Sequence, residues 1–172
     1  SKKISVIKKQ KLISDIKGLE IYPNVIRSFY KGPINSIKGY KDGVWWIQDL
    51  GSYIQFEILF KKIKNLFPLR DLRNIDILDL CAAPGGKTIQ ILDKGLNVLS
   101  VDKNIIKINI MKNNLDRMNF DSHIICEDAS KMKLNKFFDI ILIDAPCSAT
   151  GTIRKNPDIL LRKNNSNYKS LL

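Results

Sequence analysis

The sequence predicts an α/β fold: a mostly parallel sheet with helices on both faces. Three observations carry this. From residue 75 onward, short apolar runs that read as strands alternate with stretches whose apolar residues recur at helical spacing. Each run is followed by an acidic residue or a glycine-rich turn. A chain of 172 residues, 44% of them hydrophobic, is long and apolar enough to bury one core, and short for two.

Taken in order, the lead is lysine-rich, and turn-forming residues at 34–43 (INSIKGYKDG) separate it from an apolar stretch. Leu50, Tyr53, Ile54, Phe56, Leu59, Phe60, Ile63 and Phe67 then recur at helical spacing and stop before Pro68, with Asp49 or Ser52 as the N-cap. IDILDL at 75–80 reads as a buried strand. A Gly-rich turn follows it and leads into a helix ending near Gly95. NVLSV at 97–101 is a second strand, and 104–118 is an amphipathic helix with Ile108, Met111, Leu115 and Met118 on one face. The third strand is 122–126 and the fourth, FDIILI, 138–143. Such alternation implies crossover connections and a parallel sheet.

The net charge is +12. Its composition, 23 Lys against 6 Arg with 27 Ile and 15 Asn, resembles a compositional drift, which by itself would spread the surplus evenly. It is not even. Residues 1–45 hold 10 basic against 3 acidic side chains, residues 154–172 hold 5 against 1, and the middle holds 14 against 13. Two basic flanks around a near-neutral core suggest a polyanionic partner, RNA or DNA; a lysine-rich solvated surface is the alternative. No stretch approaches the roughly 18 apolar residues of a membrane span, which excludes a transmembrane helix. Residues 1–11 do not read as a secretory leader, and three scattered cysteines do not make a disulfide framework. A reduced, cytoplasmic setting is expected.

Ligands on parallel sheets bind outside the carboxyl ends of the strands. After the first strand stand Cys81, Ala82, Ala83, Pro84, Gly85, Gly86 and Lys87, small residues that let a ligand approach the backbone at a helix start. Asp102 follows the second strand at the spacing of an acid that accepts ribose hydroxyls. Asp128 follows the third strand and Asp144 the fourth, and Asp79 ends the first. A phosphate-binding loop competes, because Gly86-Lys87-Thr88 fits its end and FDIILID resembles a magnesium-assisting strand. Cys81 stands where its first glycine belongs, however, and Pro84 removes a backbone donor. The dinucleotide fingerprint fails too, with only one glycine pair. A Rossmann-like site with a ribose acid and no phosphate cradle suits S-adenosylmethionine.

These motifs carry a resemblance. DLCAAPGGKT (79–88), VDKN (101–104), EDAS (127–130) and IDAPCSATG (143–151), with WWIQD before and TIRKNPDI after, resemble the RsmB/Nop-type (Sun family) RNA cytosine-5 methyltransferases over residues 18–172. The resemblance implies a class I methyltransferase fold with about four of its seven strands present. It implies that residues 43–172 are the N-terminal part of that domain, and that residues 1–42 are the tail of an RNA-binding or linker region. It implies that Cys81–Lys87 wrap the methionine end of S-adenosylmethionine, that Asp102 binds the ribose and that Asp128 lies near the adenine. Asp144 is then placed beside the methyl donor and the base. The implied substrate is RNA, rRNA in the first place.

Carbon 5 of cytosine is too weakly nucleophilic to take a methyl group unaided. A thiolate adding to carbon 6 makes carbon 5 electron-rich; after transfer, a base removes the carbon-5 proton and the thiol is expelled. In the family the Asp-Ala-Pro-Cys cysteine assists product release, and a later Thr-Cys supplies the nucleophile. Cys147 matches the first, and no Thr-Cys occurs in these residues. The nucleophile is therefore expected beyond Leu172, and the chain is expected to be a truncated, inactive piece of a longer enzyme. A nucleotide hydrolase using Lys87 and a non-catalytic RNA-binding remnant are the other readings. His123 reads as a strand-face residue, and Cys81 and Cys126 as small packed hydrophobes. Trp45 and Trp46 read as packing or base-stacking groups. With no Cys-x-x-Cys, no metal is expected. The expected state is a monomer.

Overall fold

The computed structural model describes residues 6–145. The first part holds helix α1 (Val6–Asp15) and an antiparallel hairpin of β1 (Gly18–Tyr22) and β2 (Val25–Ser28). The lysine-rich lead thus contains a helix and a hairpin that its composition did not suggest. The hairpin turn is Pro23-Asn24, with Asn24 in the left-handed region that asparagine tolerates. Tyr22 then meets the ring of Tyr53, edge to face at 6.1 Å, on α2 (Leu50–Leu66). Asp49 caps α2 by accepting from the Gly51 amide, which settles the choice between Asp49 and Ser52.

The remaining elements are β3 (Asp76–Leu80), α3 (Gly86–Asp93), β4 (Asn97–Asp102), α4 (Ile105–Met118), β5 (His123–Cys126) and β6 (Ile140–Ile143). The four strands form one parallel sheet in the order β5-β4-β3-β6. All four expected strands and the three expected helices are present, with ends shifted by one or two residues. The topology is the partial Rossmann-like fold expected of a class I methyltransferase.

Because β3 pairs with β4 on one side and β6 on the other, Ile77, Val98 and Ile140 share a face. That face packs against Phe56 and Ile63 of α2 and Ile91 of α3. A second cluster joins Ala82 and Ile89 to Met111, Leu115 and Met118 on α4, the face read from the sequence. Burying about ten such side chains, each contributing roughly 1.5–3 kcal/mol, is the main force holding the helices to the sheet. On the opposite face of β6, Ile141 and Ile143 are exposed.

Chain order runs outward from β3 to β4 to β5 and then returns to β6 on the other side of β3. That reversal opens a crevice at the carboxyl ends of β3 and β6, where open α/β sheets bind ligands.

Candidate active site

The crevice is a cavity of about 410 Å³, bounded on one side by the turn after β3 and by Asp144 after β6. The turn is shaped by two left-handed residues, Cys81 (φ 60°) and Gly85 (φ 99°). Gly85 must be glycine for a packing reason: an added Cβ would lie 2.7 Å from Met111 Cγ. Its smallness thus serves the seat of α4. Gly86 opens α3, and its backbone faces Gln48 across the cavity rim.

Lys87, almost buried, donates to Ser52 Oγ at 2.8 Å and pairs with Asp144 Oδ2. All three line the cavity. The phosphate-binding alternative loses its main support here, because the lysine that would hold a phosphate is engaged by a carboxylate and a hydroxyl.

Below them lies a buried polar group. Thr88 Oγ1 donates to Asp79 Oδ2 at 2.7 Å and lies 3.1 Å from Ser100 Oγ. Asp79 Oδ1 is buried without a hydrogen-bond partner, and the residue lines the cavity. Desolvation, with the nearby charges of Asp144 and Asp102, pushes the Asp79 carboxyl up to about 6, against the opposing pull of Thr88 and Lys87.

Asp102 and Asp128 lie outside the cavity lining. Asp102 is tied to it, since Ala83, a lining residue, donates its amide to Oδ2 at 3.1 Å while Asn104 donates to Oδ1 at 2.8 Å. Asp128 sits farther along the edge, accepting from the Ser130 amide and hydroxyl; those bonds hold its carboxyl below the usual range. Cys81 lines the cavity, and burial together with Asp102 pushes its thiol up, so it is a thiol and not a thiolate at neutral pH. Cys126 is exposed at the end of an edge strand, not packed as expected. Cys147 lies outside the described residues.

The far wall was largely missed by sequence reasoning. Trp46 packs on the Ala82–Met111 cluster and donates from Nε1 to Gln48 Oε1 at 3.0 Å. Gln48 donates to Gln90 at 2.9 Å, and buried Gln90 donates to the Tyr53 carbonyl and to Glu57. Arg117 closes that wall: Nη1 donates to the carbonyls of Tyr40 at 2.6 Å and Trp45 at 3.0 Å, and the guanidinium lies 3.9 Å from the Tyr40 ring. Trp46 packs there and also faces the cavity, while the Trp45 ring lies against Tyr40 with centroids 5.1 Å apart and donates from Nε1 to the Lys38 carbonyl at 3.1 Å. The WWIQD run carried the only sequence signal for this wall; the Arg117 contacts had none.

A family model described as 16S rRNA methyltransferase RsmB/F matches residues 68–172, more than half of the chain. The chain belongs to the RsmB/F family. It is 37% identical over 131 residues to the ribosomal RNA small subunit methyltransferase B of Vibrio vulnificus (strain YJ016), covering 73% of this chain and 28% of that protein. It is 35% identical over 161 residues to the probable ribosomal RNA small subunit methyltransferase B of Coxiella burnetii (strain RSA 493 / Nine Mile phase I), covering 88% of this chain and 35% of that protein. The chain thus spans about a third of the length of these curated relatives. Among solved structures, PH0851 superposes with a TM-score of 0.78 at 20% identity, over 98% of this chain and 38% of that one. NSun6 from Pyrococcus horikoshii, determined with SFG, has a TM-score of 0.57 at 27% identity, over 70% and 30% of the two chains. Both share the partial Rossmann-like fold found here.

Proposed function

We propose that the enzyme these residues belong to transfers a methyl group from S-adenosylmethionine to carbon 5 of a cytosine in small-subunit rRNA, in the cytoplasm, through a covalent adduct to the cysteine of a Thr-Cys motif, which residues 1–172 do not contain. The observation that carries the proposal is the cavity at the strand-order reversal, with the Lys87–Asp144 pair and the Asp79 carboxyl on its walls. Its size suits a small ligand. Its charge suits a ligand that carries a positive charge and no phosphate: the Asp79 carboxyl lies buried just beneath it, and the cavity's lysine is paired with Asp144.

When bound, S-adenosylmethionine supplies an electrophilic methyl group on a sulfonium. Residues Cys81–Lys87 hold its methionine end. Asp102, fixed by two backbone amides, presents its remaining lone pairs to the ribose, and Asp128 lies toward the base of the nucleoside. Asp144, oriented by Lys87, faces the target cytosine. Cys147 assists release of the methylated RNA. Residues 1–42 form the RNA-facing extension, and residues 43–172 belong to the methyltransferase domain.

The test has two parts. Unmethylated small-subunit rRNA is incubated with the full-length protein that carries these residues and with labelled S-adenosylmethionine, and the product is read by bisulfite sequencing. Label at a cytosine carbon 5 supports the proposal; label on another base or on ribose defeats it. Cofactor affinity is then compared for the wild type and Asp102→Ala, with a loss of about 1–3 kcal/mol expected from the missing charged acceptor.

A further inference from the structure

The strand and loop that follow the hairpin turn form a strip without a counterpart in the site chemistry. Between Glu20 and Asp42 there is no acidic residue, while Arg27, Lys31, Lys38 and Lys41 recur along the run. Ten consecutive residues, 27–36, are exposed. Among them Phe29 is 60% exposed, a large apolar ring left in water with the Arg27 guanidinium 5.5 Å from its centroid.

The strip is nonetheless held in shape by its own hydrogen bonds. Ser28 Oγ donates to the Ile16 carbonyl at 3.0 Å and accepts from the Tyr30 amide at 3.0 Å, and the Tyr30 hydroxyl lies 2.9 Å from Ser36 Oγ. Its far end is fixed to the cavity. Tyr40 lines the cavity under the Arg117 guanidinium, and Gly43 sits so close to α4 that an added Cβ would fall 1.9 Å from the Arg117 carbonyl oxygen. The exposed cationic and aromatic run therefore leads to the rim of the candidate active site.

We propose that this strip is a docking track for single-stranded RNA that delivers the target nucleotide to the cavity. Cations at intervals along a backbone-like path meet phosphates, and an ordered, exposed ring such as Phe29 offers a face on which any base stacks. The absence of acidic residues over 21 positions favours a polyanion over a protein surface of mixed charge. The proposal rests on the methyltransferase reading for its substrate and adds where that substrate lies.

The experiment measures binding of a labelled single-stranded oligouridine to the full 172-residue chain by fluorescence anisotropy at several salt concentrations. The wild type is compared with Phe29→Ala and with the double variant Arg27→Gln, Lys31→Gln. All three side chains are exposed, so far-UV circular dichroism should be unchanged. Phe29→Ala should weaken binding by about 5- to 150-fold, the loss of one stacked base. The double variant should lower the slope of log affinity against log salt by about 1.4, the loss of two phosphate contacts. Unchanged affinity in both variants, or equal affinity for an RNA duplex, overturns the proposal, and a strip that serves a protein partner gives the first of these results. Cofactor affinity, measured in parallel, separates the two readings. Cofactor binding without a strip-dependent RNA affinity sinks the track alone. Strip-dependent RNA affinity without cofactor binding supports the track and counts against the methyltransferase reading.

Discussion

Asp79→Asn isolates the cost of a carboxyl buried under the active-site turn. The carboxyl sits at about 6 instead of 3.8 because burial disfavours its charged form, so the folded state holds a proton that the unfolded chain releases. The sign follows from that. Stabilisation by this group is greatest at pH 4 and below, declines as pH rises, and is gone above about pH 7. With 1.36 kcal/mol per pKa unit, the two-unit displacement amounts to about 2–3 kcal/mol lost between pH 4 and pH 7. Asparagine keeps the shape and the acceptor for Thr88 but does not titrate; its amide, placed where Oδ1 has no partner, adds a constant cost of about 1–3 kcal/mol. A constant cost cancels when the two proteins are compared across pH. Urea unfolding of both between pH 4 and 7.5 should show the wild type losing its advantage over the variant by about 2–3 kcal/mol. A difference that stays flat to within about 0.5 kcal/mol would refute the account of Asp79 as a desolvated acid.

Two glycines in the left-handed region should respond very differently to alanine. Gly95 (φ 79°) has nothing within 4 Å of an added Cβ, so Gly95→Ala should cost only the conformational term, about 1–2 kcal/mol of unfolding free energy. Gly43→Ala (φ 63°) adds a collision with the backbone of α4, and thermal unfolding should show a loss of more than about 3 kcal/mol. Among the cysteines, burial and Asp102 hold Cys81 as a thiol, while Cys126 is exposed. Mass-spectrometric mapping of iodoacetamide labelling at pH 7.5 should find Cys126 modified before Cys81, and the gap should narrow as pH rises.

The sheet was legible because each parallel strand is a short apolar run and each helix keeps one apolar face, patterns confined to ten or fifteen neighbouring residues. The strand-end acids and the turn at 81–88 were legible for the same reason. What escaped depends on distant partners. Arg117 reads as an ordinary charged residue in the last turn of α4, yet it acts on carbonyls 72 and 77 positions earlier. Ser52 reads as a cap candidate, and its hydroxyl instead receives Lys87, 35 residues later. The hairpin escaped because its strands, GLEIY and VIRS, are four or five residues long and are embedded in a lysine-rich run. Such strands take their stability from pairing and from Tyr53, not from their own pattern.

The Arg117 clasp bears on the order in which the molecule assembles. The segment it grips precedes it by more than seventy residues, so on a growing chain Tyr40 and Trp45 emerge well before their anchor does. Closing a loop of that length carries an entropic cost that must be met before the contact can reward it. One wall of the cavity is therefore completed only once α4 is in place. Ligand affinity in this protein is a late marker of folding: a partly folded chain whose α4 has not docked can pair its strands and still lack a complete pocket.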